Sequence, residues 1–433
     1  MAGETDCGYT RSVASPALWL YRSLMVVATP LAAPFLWLAD RRRGKSRPPW
    51  RRRFGHELPA APHGGVWIQA VSVGEVQVAR PLMAELRRRR GECPIVLSAT
   101  TATGLALASG AHQADVVLPF PIDLPGPVTR FLDHVAPHLV ILIETELWPE
   151  LLAACGQRDI PVALVNARVS DASFRGYRAI RRLLAPLLKP ITLALAQDQV
   201  DAERLAAIGV VADRIQVTGN IKFDIKPPGQ PLQVAAAITR LAAGRPVWIA
   251  GSTMAGEDEA VLAALARIPR DRRPFLILAP RHPERATAVL DLAAAAGVRP
   301  IRRTRIDEDL GACDAVVLDT VGELAGLYQL ASIAFIGGSL VPTGGHNPIE
   351  AARFAVPVLS GEHVKNFRAV FARFAAAGAV RFAHDSDGLS EALNAWLADP
   401  AAARAAGEAG RALLLANSGA TERTVDVLAP LLP

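Results

Sequence analysis

Short apolar runs of strand type recur along this chain with helical stretches between them, and that alternation narrows the choice of folds more than any other feature. The first run, Val66-Trp67-Ile68-Gln69-Ala70-Val71-Ser72-Val73, ends in Gly74 and Glu75, and a helix with apolar positions at helical spacing is expected over about 76–90. Further strands are expected at Ile95–Ser98, Val116–Pro119, Leu139–Ile143, Val162–Asn166 and Leu193–Ala196. The same alternation restarts at Val247–Ala250 and runs through Phe275–Ala279, Val316–Asp319, Ile333–Ile336 and Val356–Leu359. Between the halves, Lys226-Pro227-Pro228-Gly229-Gln230-Pro231 reads as a linker, because Pro and Gly concentrate where few contacts cross. The expectation is two doubly wound, Rossmann-like α/β domains, 54–225 and 226–433, preceded by a distinct segment, 1–53.

That leading segment holds the one membrane candidate, Pro16–Ala39, interrupted by Arg22, Pro30 and Pro34. It is marginal as a span and reads as an anchor helix, with Trp19, Tyr21, Trp37 and Trp50 suited to an interfacial belt. Arg41, Arg42, Arg43, Lys45, Arg47, Arg51, Arg52 and Arg53 follow it. Removing these eight charges from the net +6 leaves −2 for the rest of the chain, so basicity is local and points to anionic headgroups rather than nucleic acid. A body on the cytoplasmic side of a membrane is expected. Cys7, Cys93, Cys155 and Cys313 form no C-x-x-C pair, and the nine histidines show no H-E-x-x-H spacing, so neither a disulfide framework nor a protein-held metal is expected.

The chemistry-bearing residues cluster just after the strands, where open α/β sheets bind ligands. Glu75 closes Ser72-Val73-Gly74-Glu75, which is both a capping-box pattern and a place for a general base. Glu144 and Glu146 follow Leu139–Ile143 in Glu144-Thr145-Glu146-Leu147-Trp148-Pro149, and Asn166-Ala167-Arg168 repeats the placement after the next strand. Lys222 lies in Thr218-Gly219-Asn220-Ile221-Lys222-Phe223-Asp224, close to the linker. In the second half, Arg281 and Arg285 compete for a phosphate, and Glu323 opens another capping-box pattern whose Val321 and Gly322 amides could meet a ligand. The stretch Phe335–Gly361 carries two glycine pairs, 337–338 and 344–345, then Asn347 as N-cap, Pro348 as the first helical residue and Glu350 as either a capping acid or a ribose ligand. No strand exit carries G-x-G-x-x-G, and no Walker motif or G-x-S-x-G elbow is present, which favours group transfer over a dehydrogenase, NTPase or hydrolase.

Six motifs in order, S-V-G-E at 72–75, E-T-E-L-W-P at 144–149, N-A-R at 166–168, T-G-N-I-K-F-D at 218–224, P-R-H-P-E-R at 280–285 and G-G-H-N-P-I-E-A-A at 344–352, closely resemble the bacterial Kdo transferase family. The resemblance implies a GT-B glycosyltransferase that moves 3-deoxy-D-manno-octulosonic acid (Kdo) from CMP-Kdo to a lipid A precursor with inversion, at the inner membrane of a Gram-negative bacterium. It implies Glu75 as general base, with Lys222 and Glu146 or Glu144 stabilising the transition state. It also implies Pro280, Arg281, Val321, Gly322, Glu323, Asn347, Pro348, Ile349 and Glu350 as CMP-binding positions. CMP-Kdo is a substrate, no cofactor is implied, and the expected partners are the lipid acceptor and an anionic phospholipid surface. Two other readings remain: a membrane-associated GT-B enzyme using a UDP-sugar, and a non-catalytic membrane adaptor.

Overall fold

The run Leu139–Ile143 is buried along its whole length, as a strand covered by helices on both faces must be. In the computed structural model, which describes residues 16–42, 50–110, 113–225, 233–308 and 312–433, it is one of fourteen strands. The expected linker Lys226–Pro231 lies outside the described residues, as do Cys7, His112 and the Arg43, Lys45 and Arg47 part of the basic run. The described chain forms two compact units, one from Met1–Ile225 with Ser418–Pro433 and the other from Lys226–Asn417.

The first unit is built on β1 (Val66–Ala70), β2 (Ile95–Ala99), β3 (Val116–Pro119), β4 (Leu139–Ile143), β5 (Val162–Ala167), β6 (Ile191–Ala196) and β7 (Ile215–Val217). All pair in parallel, in the order β3-β2-β1-β4-β5-β6-β7. Strand order reverses between β1 and β4, where Val66 pairs Leu139 and Gln69 pairs Leu142. That register brings the segments after the two strands out at the same edge, at the topological switch point. Alternate residues feed two cores: Val66, Ile68 and Ala70 face one side, and Trp67 faces the other with Phe131 and Leu151.

The second unit contains β8 (Val247–Thr253), β9 (Phe275–Pro280), β10 (Pro300–Arg302), β11 (Ala315–Val317), β12 (Ile333–Ile336), β13 (Val358–Ser360) and β14 (Val380–Phe382). These too are parallel, in the order β10-β11-β9-β8-β12-β13-β14, with the reversal between β8 and β12.

Two expectations need correction. The second domain does not run to residue 433, because the Ala420–Leu428 helix belongs to the first unit. Ala420, Val425, Leu428 and Leu432 join the β1 core, each large side chain worth about 2 kcal/mol on burial. The Asp224 carboxylate accepts from Gly419 N (2.7 Å), Thr421 N (2.6 Å) and the Thr421 hydroxyl (2.7 Å), which fixes the start of that helix.

The second correction concerns only the marginal span within the expected anchor. The leading segment is a helix, Pro16–Arg42, but no helix among the described residues is long and apolar enough to cross a membrane. Its first turns carry Tyr21 and Arg22, and both side chains are bound to buried acids of the first unit.

Candidate active site

At the β1–β4 switch point the sequence places three carboxylates. Glu75 lies in the first turn of the Val73–Arg90 helix and is buried, and its carboxylate accepts from Val71 N (2.6 Å) and the Ser72 hydroxyl (3.0 Å). Ser72 makes no side-chain bond to the helix amides, so the expected capping box does not form, and burial, with Glu144 and Glu146 nearby, pushes the Glu75 pKa up to about 7. Glu146 is likewise pushed up to about 7, by burial and then by Glu144, and it has no hydrogen-bond partner among the described residues. Glu144 has a different environment, because Lys222 Nζ donates to its Oε1 at 2.7 Å. The structure thus separates two acids that sequence left equivalent: Glu144 is ion-paired with Lys222 and Glu146 is not, while both push up the pKa of Glu75.

The surrounding motif residues hold this arrangement. Glu144 and Asn166 both adopt left-handed backbone conformations, φ +62° and +58°. Such conformations cost about 1–2 kcal/mol for a non-glycine residue and need neighbours that enforce them. The Thr145 hydroxyl donates to Arg168 O (2.7 Å) and accepts from Arg168 N (2.9 Å), so the two strand exits are laced together. Asn166, fully buried, accepts from Ile221 N at 2.9 Å, and Asn220 accepts from Lys222 N at 3.0 Å. Asn166 and Asn220 therefore position the Ile221–Phe223 turn that carries Lys222. Sequence reading noticed the polar residues after the strand and missed this contact, which pairs positions 55 residues apart.

In the second unit, Arg281 follows β9 and is exposed; its backbone N–H donates to Thr253 O at 2.9 Å, and its guanidinium makes no hydrogen bond or ion pair among the described residues. Arg285 is occupied: it pairs with the fully buried Asp258 and donates to Thr253 O at 3.3 Å. Of the two arginines, Arg281 is therefore the one whose guanidinium is uncommitted. Glu350 lies near it, and burial raises its pKa against the lowering effects of Asn347, Arg353 and Arg281. Its one hydrogen bond is a long one from Asn347 Nδ2, at 3.3 Å, which leaves acceptor capacity for ribose hydroxyls.

The helix after Asn347 is shorter than expected, Ile349–Ala352, with Pro348 at its N-cap; Asn347 still accepts from Ile349 N at 3.1 Å. Four residues make a weak dipole, so the helix end offers little attraction for an anion. Glu323 is also corrected, because its carboxylate is gripped by Arg303 (Nη2 to Oε1, 2.7 Å) and the Thr320 hydroxyl rather than capping a helix. Val321 beside it is 85% exposed, and the backbone at Gly322 is left-handed.

The first glycine pair has an intramolecular purpose. A Cβ on Gly337 would lie 2.5 Å from Ser252 O, and one on Gly338 would meet the His346 ring at 2.8 Å. His346 itself is held neutral, its pKa lowered to about 4 by burial and by Arg281 and His282, and its Nε2 is buried without a partner. The amides of the loop are already used: fully buried Glu257 accepts from Gly338 N (2.6 Å), Ser339 N (2.8 Å), Leu340 N (2.9 Å) and Met254 N (2.8 Å). A ligand therefore does not bind those amides, and Glu257 becomes the residue that shapes the loop. Its signal in the sequence was slight, an acid at the start of a helix rich in early acids.

Residues 48–225 match the family model described as 3-deoxy-D-manno-octulosonic-acid transferase (kdotransferase). The 3-deoxy-D-manno-octulosonic acid transferase of Haemophilus influenzae is 35% identical over 423 residues, covering 96% of this chain and 98% of the relative. The Bordetella pertussis protein of the same name is 36% identical over 427 residues, covering 94% and 98%. The UDP-GlcNAc 2-epimerase of Neisseria meningitidis superposes with a TM-score of 0.57 at 14% identity, over 84% of this chain and all of that one, and shares the arrangement of two parallel-sheet domains.

Proposed function

This chain belongs to the 3-deoxy-D-manno-octulosonic acid transferase family, and on that premise we propose that it moves Kdo from CMP-Kdo to a lipid A precursor in lipopolysaccharide synthesis. The observation that carries the mechanism is the buried Glu75 at the strand exits with Glu144 and Glu146, its pKa raised to about 7 by burial first and by the two acids after it. Glu75 takes the proton of the acceptor hydroxyl as that oxygen bonds to the anomeric carbon of Kdo. The bond from that carbon to the phosphate oxygen breaks on the opposite side, and CMP leaves with the electron pair, so the configuration inverts. Arg281 offsets the charge of the leaving phosphate, Lys222 that of the donor's carboxylate or phosphate, and Glu350 accepts from the ribose hydroxyls. Lysine and arginine supply the positive charge in this scheme, and no metal is assigned to it.

The donor assignment is tested by thermal melting. CMP at about a hundredfold excess over its Kd raises Tm by roughly 5 °C or more, while UDP gives little shift. Arg281→Ala weakens CMP about thirtyfold by removing a charge-assisted contact worth about 2 kcal/mol. Equal protection by UDP would favour the UDP-sugar reading instead.

The Pro16–Arg42 helix, we infer, lies along an anionic bilayer with the body on the cytoplasmic side. Trp19, Leu20, Leu24, Val26, Val27 and Leu31 are each more than half exposed. The Arg181–Leu188 helix, which touches it, adds exposed Ile180 and Leu183 among Arg175, Arg178, Arg181 and Arg182. Apolar side chains flanked by arginines suit a headgroup boundary. The full chain is expected to float with phosphatidylglycerol vesicles and to be released when Leu20, Leu24 and Val27 are changed to Ser; retention by that variant would contradict the placement.

A further inference from the structure

A helix that only tethers a protein to a bilayer needs an apolar stripe, and an arginine within it is a cost. Here Arg22 is spent on the body of the protein. Its Nε and Nη2 donate to Glu150 Oε2 (2.6 Å) and Oε1 (2.8 Å), and the hydroxyl of neighbouring Tyr21 donates to Asp123 Oδ2 (2.8 Å). Both acceptors are almost fully buried, Asp123 at 2% exposed and Glu150 at 3%. Asp123 also accepts from Glu150 N (3.0 Å) and Leu151 N (2.9 Å), so it caps the Pro149–Gln157 helix. The chain enters that helix directly from Glu144-Thr145-Glu146-Leu147-Trp148, and Trp148 packs on Phe120 with ring centroids 4.6 Å apart. A continuous set of buried contacts thus runs from the leading helix to the loop that carries two of the three acids.

We propose that Tyr21 and Arg22 are positioning residues of the transfer reaction, holding the start of the Pro149–Gln157 helix and through it the Glu144–Glu146 loop in place beside Glu75. This rests on the functional reading above. The charged and polar groups facing Glu75 are Val71 N and Ser72 on its own segment and Glu144 and Glu146 on the loop, with Glu144 paired to Lys222. If the loop drifts, Glu75 loses two repelling neighbours and gains solvent, so its pKa falls back toward the ordinary carboxylate value.

The test uses the full chain with anionic vesicles, CMP-Kdo and a tetraacylated lipid A precursor. Arg22→Met is expected to lower kcat about tenfold with KM for CMP-Kdo within about twofold, and to move the acid limb of kcat/KM down by about half a pH unit. Tyr21→Phe, which removes one hydroxyl, shows the same signature at about threefold and decides the matter if Arg22→Met does not fold. Arg22→Lys recovers part of the rate. A role in stability or membrane attachment alone would leave the acid limb where it is, so an unchanged kcat, or a fall with an unmoved limb, would overturn the proposal. A wild-type chain that transfers no Kdo would overturn the functional reading and this proposal with it, whereas an active wild type with an unaltered Tyr21→Phe would overturn this proposal alone.

Discussion

Glu75→Gln lowers kcat/KM for Kdo transfer by about a thousandfold, because the acceptor hydroxyl loses the group that takes its proton while the shape of the site is kept. The wild-type pH profile carries the same signature. A base works deprotonated, so kcat/KM rises with pH and levels off above about 7, once Glu75 has titrated. In the glutamine variant the residual rate loses that dependence. A variant with near-normal turnover would remove Glu75 from the mechanism.

Glu257→Ala acts on the other unit and on stability first. It leaves four backbone N–H groups without their acceptor, two of them in buried and two in part-buried hydrogen bonds. At about 1–3 kcal/mol for each unsatisfied donor, less whatever water enters, the loss is about 4 kcal/mol, or roughly 10 °C in the melting of a unit this size. Loop 337–340 then has no fixed shape, and the CMP-dependent rise in Tm disappears with it. Glu257→Gln recovers only part, since its NH₂ group faces donors. A melt and a CMP response both unchanged in Glu257→Ala would show that the loop is held by something else.

Much of this was legible in the sequence because buried parallel strands are written as apolar runs. Eleven of the strands were marked that way, and the three that were not, Ile215–Val217, Pro300–Arg302 and Val380–Phe382, are three-residue strands, largely exposed or part-exposed, and all three sit at sheet edges. An exposed edge has no need of an apolar run. The acids were legible for a related reason, since a carboxylate directly after a buried strand has few structural uses. What the sequence could not separate were groups whose roles depend on distant partners. Arg281 and Arg285 differ only because Asp258 takes one of them, and Glu144 differs from Glu146 only because Lys222 arrives from 78 residues away. The return of the last helix to the first unit was hidden too, because Val425 and Leu428 look like any amphipathic face until Asp224 is seen holding its start.

Mass spectrometry of the lipid product, after the purified chain is incubated with CMP-Kdo and tetraacylated lipid A precursor, addresses the whole account at once. The expected outcome is acceptor shifted by whole Kdo additions with wild type and unshifted acceptor with Glu75→Gln over the same time. Unmodified acceptor with the wild type, or equal product from both proteins, would contradict it.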